Sequence, residues 1–335
     1  MNRANRIQIA GKEISETNAF VIAEVGSNHG QKLENALEYI KVASDCGVDA
    51  VKFQYFYADD IVPRDHPARA EVERYVTPKE WIPTLQDYCD KVGVTFFASA
   101  FNLELFGILD KSGVPLHKIA SSEVLNMSML LAAGRSMKPI LISFGMSEWY
   151  EVEVALKVLS ETKNELIIPM HCISEYPLAV PSSNLKIITE LSRRYRGIVG
   201  FSDHTESTEI GGWAAMLGAR VFEKHITLNK KESGADHSYA LEPSEFDVYV
   251  KGIRMSIEAL GSGEKKYLGA ELEGRRRYGL RADDNVAIGT SLKNLKVEKV
   301  RPRTQVPSNL IGFIQDLRTK SETQIGEELL WENLE

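Results

Sequence analysis

The fold is decided by three segments, IVGFSDHT (198–205), VFEKHITL (221–228) and SGADHSYALEP (233–243). The first two are short, apolar, β-branched runs, and each ends near a histidine, His204 or His225. The interval between them fits one helix, which predicts adjacent parallel strands with both imidazoles at the same end. Two neighbouring imidazoles, with Glu223, Asp203 and Asp236 close by in sequence, predict a catalytic site for a divalent ion such as Mn²⁺, Co²⁺ or Zn²⁺. The alternative for either histidine alone is a structural, hydrogen-bonded residue.

The same strand–helix alternation extends back to residue 20. Helical patterns such as ENALEYIKVASDCG (34–47) and PKEWIPTLQDYCDKVG (78–93) separate the apolar runs, and each stops at a glycine. The runs are FVIAE (20–24), AVKFQ (50–54), VTFFAS (94–99), LHKIAS (116–121), PILIS (139–143), LIIPMH (166–171), IVGFS (198–202) and RVFEKH (220–225). Eight such units predict an α/β fold, the (β/α)8 TIM barrel.

Nearly every run ends in a polar side chain, and in such barrels the carboxyl ends of the strands build the active site. The most informative are Lys52 and Lys118, because an unpaired charge inside an apolar strand is costly to bury. We expect both lysines to hold an anionic substrate, with strand-end serines as hydrogen-bond donors. Taken singly, most of these serines are better explained as solvated strand ends without a function.

Composition limits the remaining functions. The chain has 335 residues and a net charge of −7, which argues against a nucleic-acid partner. Its three widely spaced cysteines predict buried thiols in a reducing compartment. No segment has the length or apolarity of a signal peptide or a membrane span, so we expect a cytoplasmic protein.

A change of composition near residue 262 predicts the domain organisation. We expect a barrel domain over residues 1–262, a polar, glycine-punctuated linker over 263–277 and a small β-rich domain over 278–335. The tail carries a loose internal echo, IGTSLKNL and IGEELLWENL, which favours pseudo-repeated halves.

Eight ordered motifs give the chain a specific resemblance. They are AEVGSNHG (23–30), VKFQ (51–54), HKIASSE (117–123), SFGMS (143–147), HCISEYP (171–177), FSDHT (201–205), EKHITL (223–228) and DHSYALEP (236–243). Together they resemble the N-acetylneuraminate synthase family, which includes the pseudaminate and legionaminate synthases. The tail, with VRPRTQVP (300–307), is similar to the antifreeze-like (SAF) domain, a β-clip fold, of these enzymes.

The resemblance implies a metal-dependent synthase that condenses phosphoenolpyruvate with an N-acylated hexose to give a nonulosonic acid and phosphate. The acceptor would be N-acetylmannosamine or a 2,4-diacetamido-trideoxyhexose. The metal would be Mn²⁺, with Mg²⁺ or Co²⁺ as alternatives. The resemblance also implies a domain-swapped homodimer in which the tail domain of one subunit covers the barrel mouth of the other.

The same resemblance assigns roles residue by residue. His204 and His225 would bind the metal, and Glu24, Glu123 and Lys118 would serve catalysis. Phosphoenolpyruvate would contact Lys52, Ser99, Lys118, Ser121, Ser143, Ser174 and Ser202. The sugar would contact Gln54, Tyr176 and Asp236, together with Arg301 of the partner subunit.

Some positions depart from the family pattern and leave the acceptor open. Ala120 and Phe144 replace the glycine and the threonine of two motifs, and Arg303 stands where the tail domain has a turn glycine. Two other functions are consistent with the barrel: another metal-dependent sugar aldolase or isomerase, and a sugar-binding protein without activity. The first needs no pair of buried lysines, and the second predicts loss of the metal and lysine positions.

Overall fold

The computed structural model describes residues 5–266, 269, 271, 279–300 and 306–335. The chain divides into two compact units, Met1–Ser262 and Gly263–Glu335. Arg301, Arg303 and most of the predicted linker lie outside the described residues. In the part of the chain that is described, no helix combines the length and the apolarity needed to cross a membrane.

The first unit contains a closed barrel of eight parallel strands, in the order β10-β3-β4-β5-β6-β7-β8-β9. Its strands are β3 (Phe20–Gly26), β4 (Ala50–Tyr55), β5 (Thr95–Ala100), β6 (His117–Ile119), β7 (Ile140–Ser143), β8 (Ile167–Cys172), β9 (Val199–Asp203) and β10 (Ala219–His225). Each strand falls on one of the eight predicted runs. The prediction of a (β/α)8 barrel is therefore confirmed.

Helices connect the strands and cover the outside of the barrel. They are α1 (Leu33–Asp45), α2 (Ala58–Ile61), α3 (Arg69–Glu73), α4 (Ile82–Val92), α5 (Leu103–Lys111), α6 (Met127–Arg135), α7 (Trp149–Glu161), α8 (Lys186–Tyr195), α9 (Ile210–Met216) and α10 (Pro243–Leu260). The helix predicted for residues 78–93 ends at the expected position, because Gly93 adopts the left-handed conformation (φ 79°) that caps α4.

A hairpin that the sequence patterns did not predict closes one end of the barrel. Strands β1 (Ile7–Ile9) and β2 (Lys12–Ile14) pair antiparallel. Ile7, Ile9 and Ile14 are buried in one apolar cluster with Phe20 and Leu116, which lie at or just before the amino ends of barrel strands. The hairpin thus seals the amino end of the barrel and leaves the carboxyl end for polar side chains.

The inward-facing residues change from apolar to polar along each strand. On β3, Phe20 and Ile22 are followed by Glu24, and on β10 Val221 is followed by Glu223 and His225. Because side chains alternate along a strand, every second residue points into the same space. The strand register places Glu24 beside Lys52 on one side and beside His225 on the other. Residues distant in sequence therefore meet in one layer.

The second unit is small and rich in β structure. Strands β11 (Gly279–Ala282) and β12 (Val297–Val300) pair antiparallel. Isolated bridges, such as Val286 with Thr323, link the rest of the described chain. Its apolar core contains Leu280, Leu292, Val306, Leu329 and Leu334.

Candidate active site

A cavity of about 400 Å³ lies at the carboxyl ends of the barrel strands. It brings together most of the predicted site residues. The predicted residues that line it are Lys52, Gln54, Ser99, Lys118, Ser121, Ser143, Ser174, Tyr176, Ser202, His204, His225 and Asp236. The convergence follows from topology, because the carboxyl ends of all eight strands face the same mouth.

Two predicted residues that the structure describes are not among those lining the cavity. Glu24 is buried behind its lining, where its carboxylate accepts a hydrogen bond from Gln54 Nε2 at 2.6 Å. Glu123 lies in a short 3-10 turn, and its carboxylate accepts a hydrogen bond from Asn126 Nδ2 at 2.8 Å. Arg301 lies outside the described residues, so its role stays a prediction.

The floor of the cavity is a buried cluster of two lysines and two carboxylates. Lys52 Nζ lies 2.8 Å from Glu24 Oε2, 3.1 Å from Ser99 Oγ and 3.6 Å from Glu223 Oε1. Lys118 Nζ lies 3.8 Å from Glu223 Oε2. Lys52 is therefore held by close protein partners, whereas the Lys118 ammonium has only longer contacts and is more available to an anion in the cavity.

Glu223 is the floor residue that the sequence patterns noted beside the histidines but did not assign to the site. Its signal was its position two residues before His225, which places both side chains on the same face of β10. Burial raises the pKa of Glu223, but the ammonium groups of Lys118 and Lys52 outweigh burial and hold the pKa below its ordinary value. Glu223 is therefore an anion between two cations.

For Glu24 and Lys118, burial outweighs the neighbouring charges. It raises the pKa of Glu24 to about 7, although the Lys52 ammonium acts to lower it. It lowers the pKa of Lys118, which the nearby Glu223 carboxylate only partly offsets. The Lys118 cation is thus short of compensating negative charge until an anionic ligand arrives.

Serine hydroxyls surround the lysines. Ser143 Oγ is buried and has no protein hydrogen-bond partner, and Ser121 Oγ accepts a hydrogen bond from the Gly145 N–H at 2.9 Å. Gly145 allows the loop to pass close to the serines, because a Cβ there would lie 2.2 Å from Ser174 Oγ. The unsatisfied hydroxyl group of Ser143, in a cavity that two lysines also line, suits an oxygen of a phosphate or carboxylate.

The two histidines lie side by side, with ring centroids 5.7 Å apart. His204 Nδ1 lies 2.7 Å from the Ile173 carbonyl oxygen, so this nitrogen donates and Nε2 keeps a free lone pair. His225 Nδ1 is buried without a hydrogen-bond partner, and burial holds the pKa of His225 well below its usual range. Imidazole nitrogens with free lone pairs fit a divalent ion.

A metal ion bound by the two histidines would need further ligands that the described part of the protein does not supply. Within the described residues, no group of three or more histidine, cysteine, aspartate or glutamate side chains is arranged to hold a metal ion. Two imidazoles alone leave the other coordination positions to substrate and water, which is the pattern of catalytic rather than structural sites.

The amino-acid sequence is similar to those of known proteins. The sequence model of the NeuB family matches residues 39–265. The chain belongs to the NeuB family. It is 31% identical over 344 residues to the N,N'-diacetyllegionaminic acid synthase of Legionella pneumophila, with 96% of each chain covered. It is 30% identical to a pseudaminic acid synthase of Campylobacter jejuni over 94% of this chain and 96% of that protein.

A solved structure supports the family membership. The N-acetylneuraminic acid (sialic acid) synthetase of Leptospira borgpetersenii, crystallised with citrate, superposes with a TM-score of 0.77 at 30% identity. The match covers 82% of this chain and 96% of that one. These NeuB relatives are named acid synthases, so the protein is an enzyme of this family, as the sequence predicts.

One departure from the family motifs is placed away from this cavity. Phe144 is buried and lines a neighbouring, mainly apolar cavity with Trp149 and Leu191. Ala120 does line the active-site cavity. Of these two departures, only Ala120 is therefore among the residues that line the NeuB-type site.

Gly26 provides the space that Asp236 occupies in this NeuB enzyme. Asp236 accepts hydrogen bonds from Tyr239 Oη at 2.5 Å and from the Ser27 N–H. Gly26 has φ +55°, and a Cβ there would lie 2.4 Å from Asp236 Oδ2. The close approach and the left-handed backbone both require glycine at this position.

We expect Gly26→Ala to raise the KM for the acceptor sugar at least tenfold, because the new methyl group displaces the Asp236 carboxylate. The matched control is Gly30→Ala, since Gly30 has φ +56° but open space around its Cβ position. Both variants should lose about 1–3 kcal/mol of unfolding free energy in urea. Equal acceptor KM values in the two variants would contradict the role of Gly26.

Proposed function

We propose that this enzyme condenses phosphoenolpyruvate with an N-acylated hexose to give a nonulosonic acid and inorganic phosphate. The observation that carries the proposal is the pairing of a lysine- and serine-lined floor with two adjacent histidines in one cavity. The names of the NeuB relatives support the same product class.

Phosphoenolpyruvate would bind at the floor. Its phosphate and carboxylate carry the negative charge that the Lys118 ammonium lacks. Lys52 and the hydroxyl groups of Ser99, Ser121, Ser143, Ser174 and Ser202 line the same cavity and would donate further hydrogen bonds. A metal-dependent aldolase or isomerase of free sugars would have no use for this cluster. We therefore favour the synthase over that alternative.

The acceptor would lie above the floor, near Gln54, Tyr176 and Asp236. The enol carbon C3 of phosphoenolpyruvate attacks the aldehyde carbon, which forms the new C–C bond and leaves a cationic centre at C2. A divalent metal held by His204 and His225 would act as a Lewis acid toward the aldehyde oxygen. Tyr176 packs on His204 with ring centroids 4.2 Å apart and helps to keep that imidazole in place.

Water must then add to C2 before phosphate leaves by cleavage of its C–O bond. We propose Glu24 as the group that accepts the proton of this water, since its carboxylate touches both Lys52 and Gln54, which line the cavity. Glu123 is the second candidate base, although its carboxylate bonds to Asn126. The lysines stabilise the departing phosphate.

The assembly that we propose follows the resemblance of the tail. The second unit would be an antifreeze-like (SAF) domain, and two chains would exchange these domains in a homodimer. Arg301 of the partner subunit would then reach the acyl group of the sugar. Analytical ultracentrifugation of the full chain tests the dimer directly.

The decisive experiment is phosphate release from phosphoenolpyruvate with Mn²⁺, Mg²⁺ or Co²⁺ present. Acceptors are N-acetylmannosamine and the 2,4-diacetamido-trideoxyhexoses, and mass spectrometry identifies the product acid. We expect release that requires both the metal and an acceptor. Absence of release with every acceptor and metal would refute the proposed function.

A further inference from the structure

A buried ion pair lies behind the two histidines, on the outer face of the barrel strands. Lys224 Nζ lies 2.8 Å from Asp203 Oδ2, and both side chains are at most 1% exposed. The two residues are direct partners in the register of β10 and β9. Because side chains alternate along a strand, Lys224 points away from the cavity that Glu223 and His225 line. The pair therefore connects, from outside, the two strands that lead to the histidines.

The same pair holds the backbone on both sides of His204. Asp203 Oδ1 accepts a hydrogen bond from the Thr205 N–H at 2.8 Å, and Lys224 Nζ donates to the Thr205 carbonyl oxygen. His204 lies between Asp203 and Thr205 in the chain, and Lys224 immediately precedes His225. A change in the ion pair would therefore shift one histidine relative to the other.

The packing around the pair excludes water and fixes its position. The Tyr249 ring of α10 covers Lys224, with Nζ 5.5 Å from the ring centroid. Glycine on α9 makes this possible, because a Cβ at Gly211 would lie 2.7 Å from Tyr249 Cε2. A buried ion pair stabilises a fold little more than apolar residues of the same volume, but separation of its charges is costly. The pair thus favours a role in fixing geometry over a role in stability.

We infer that Lys224 and Asp203 are positioning residues for metal binding, whose ion pair fixes the placement of the His204 imidazole relative to the His225 imidazole. The inference rests on the metal site of the proposed function and adds two residues that do not face the cavity. Because the ion would take one ligand from each of two strand ends, its affinity depends on how these ends are held together.

Lys224→Met combined with Asp203→Asn tests the inference, because the double variant removes both charges and keeps a side-chain oxygen for the Thr205 N–H. Calorimetric titration of the metal-free full chain with Mn²⁺ should give a dissociation constant at least about tenfold above that of the wild type, the scale seen when residues that orient metal ligands are replaced. The urea midpoint should stay close to that of the wild type, since no unpaired charge remains buried.

Asp49→Asn combined with Arg254→Met is the matched control. Asp49 also accepts a backbone hydrogen bond, from the Val21 N–H at 2.8 Å, and it pairs with Arg254 Nη2 at 2.6 Å. This pair lies beside the amino ends of β3 and β4, far along the strands from the histidines. Mn²⁺ affinity should therefore equal that of the wild type.

The kinetics separate positioning from a general loss of structure. Phosphate release by the Lys224→Met and Asp203→Asn double variant should fall at limiting Mn²⁺ and recover at saturating Mn²⁺. The KM for phosphoenolpyruvate should not change, because Lys52 and Lys118 lie on other strands. If the double variant does not fold, Asp203→Asn alone, which preserves the side-chain volume, takes its place with the same expected rise of about tenfold in the dissociation constant.

Wild-type Mn²⁺ affinity in the folded variant would overturn the inference and leave the synthase reaction standing. A wild type that neither binds Mn²⁺ nor releases phosphate would instead refute the proposed function, and the inference with it. The two failures are distinguishable because the wild type is titrated beside each variant.

Discussion

Replacing Lys118 by methionine is expected to lower kcat/KM for phosphoenolpyruvate by about 10²–10³-fold, the cost of removing one preorganised group that stabilises developing charge. The reason lies in its contacts. Lys118 Nζ lies 3.8 Å from the nearest carboxylate, Glu223, whereas Lys52 Nζ lies 2.8 Å from Glu24. Lys118 is thus the cation with the longer carboxylate contact, and we expect it to bind the substrate.

The stability of Lys118→Met should change in the opposite sense to its activity. Burial lowers the pKa of Lys118, so at neutral pH folding works against a charge that is better solvated in the unfolded chain. Methionine removes this cost at similar volume. We expect the thermal midpoint to stay the same or rise, which separates loss of substrate binding from loss of folding.

Lys138→Met is the matched control for this prediction. Lys138 is a partly buried lysine whose ammonium pairs with Asp110 Oδ1 at 2.7 Å. It precedes β7 and therefore lies at the end of the barrel opposite the cavity. Steady-state kinetics with varied phosphoenolpyruvate should show an unchanged KM for this variant. A loss of less than tenfold in Lys118→Met would remove Lys118 from the phosphoenolpyruvate site.

His225→Ala is expected to abolish metal-dependent phosphate release, with a loss of at least about 10²-fold, since the metal would supply the main stabilisation of charge on the aldehyde oxygen. His225 is buried, and its Nδ1 has no protein hydrogen-bond partner. Calorimetric titration of metal-free protein with Mn²⁺ provides a readout that is independent of turnover. The variant should show no binding in the range where the wild type saturates.

His171→Asn is the control for the metal prediction. His171 is a buried imidazole on β8, but its Nε2 bonds to the Ser183 carbonyl oxygen at 2.8 Å and the residue does not line the active-site cavity. Mn²⁺ binding should therefore survive this substitution. Wild-type Mn²⁺ affinity in His225→Ala would show that His225 is not a ligand.

The barrel could be predicted from the sequence because its signal is local. Parallel strands that are buried on both faces appear as short, continuous apolar runs, and a polar residue at the end of each run marks the carboxyl end. Glu24, Lys52, Lys118 and the two histidines follow this rule. Eight such runs predict a closed barrel. Closure places the carboxyl ends of all eight strands around one mouth, so the polar residues at these ends are expected to form the floor of the site.

The details of the site depend on contacts between residues that are far apart in sequence. Glu223 joins the floor because β10 lies next to β3, which closes the barrel. The Asp236 carboxylate fits beside Gly26 because glycine has no side chain to fill that space. The separation of Lys118 from its carboxylate also results from side-chain packing that no local pattern records.

The sequence alone determined the barrel, its polar end and about half of the cavity-lining residues, because strand periodicity and chain order govern these features. Only the tertiary structure decided which lysine has the longer carboxylate contact, that Glu123 bonds to Asn126, and that Phe56, Ile61 and Tyr75 line the cavity. Loop segments have no fixed period, so the direction of their side chains depends on packing against distant strands.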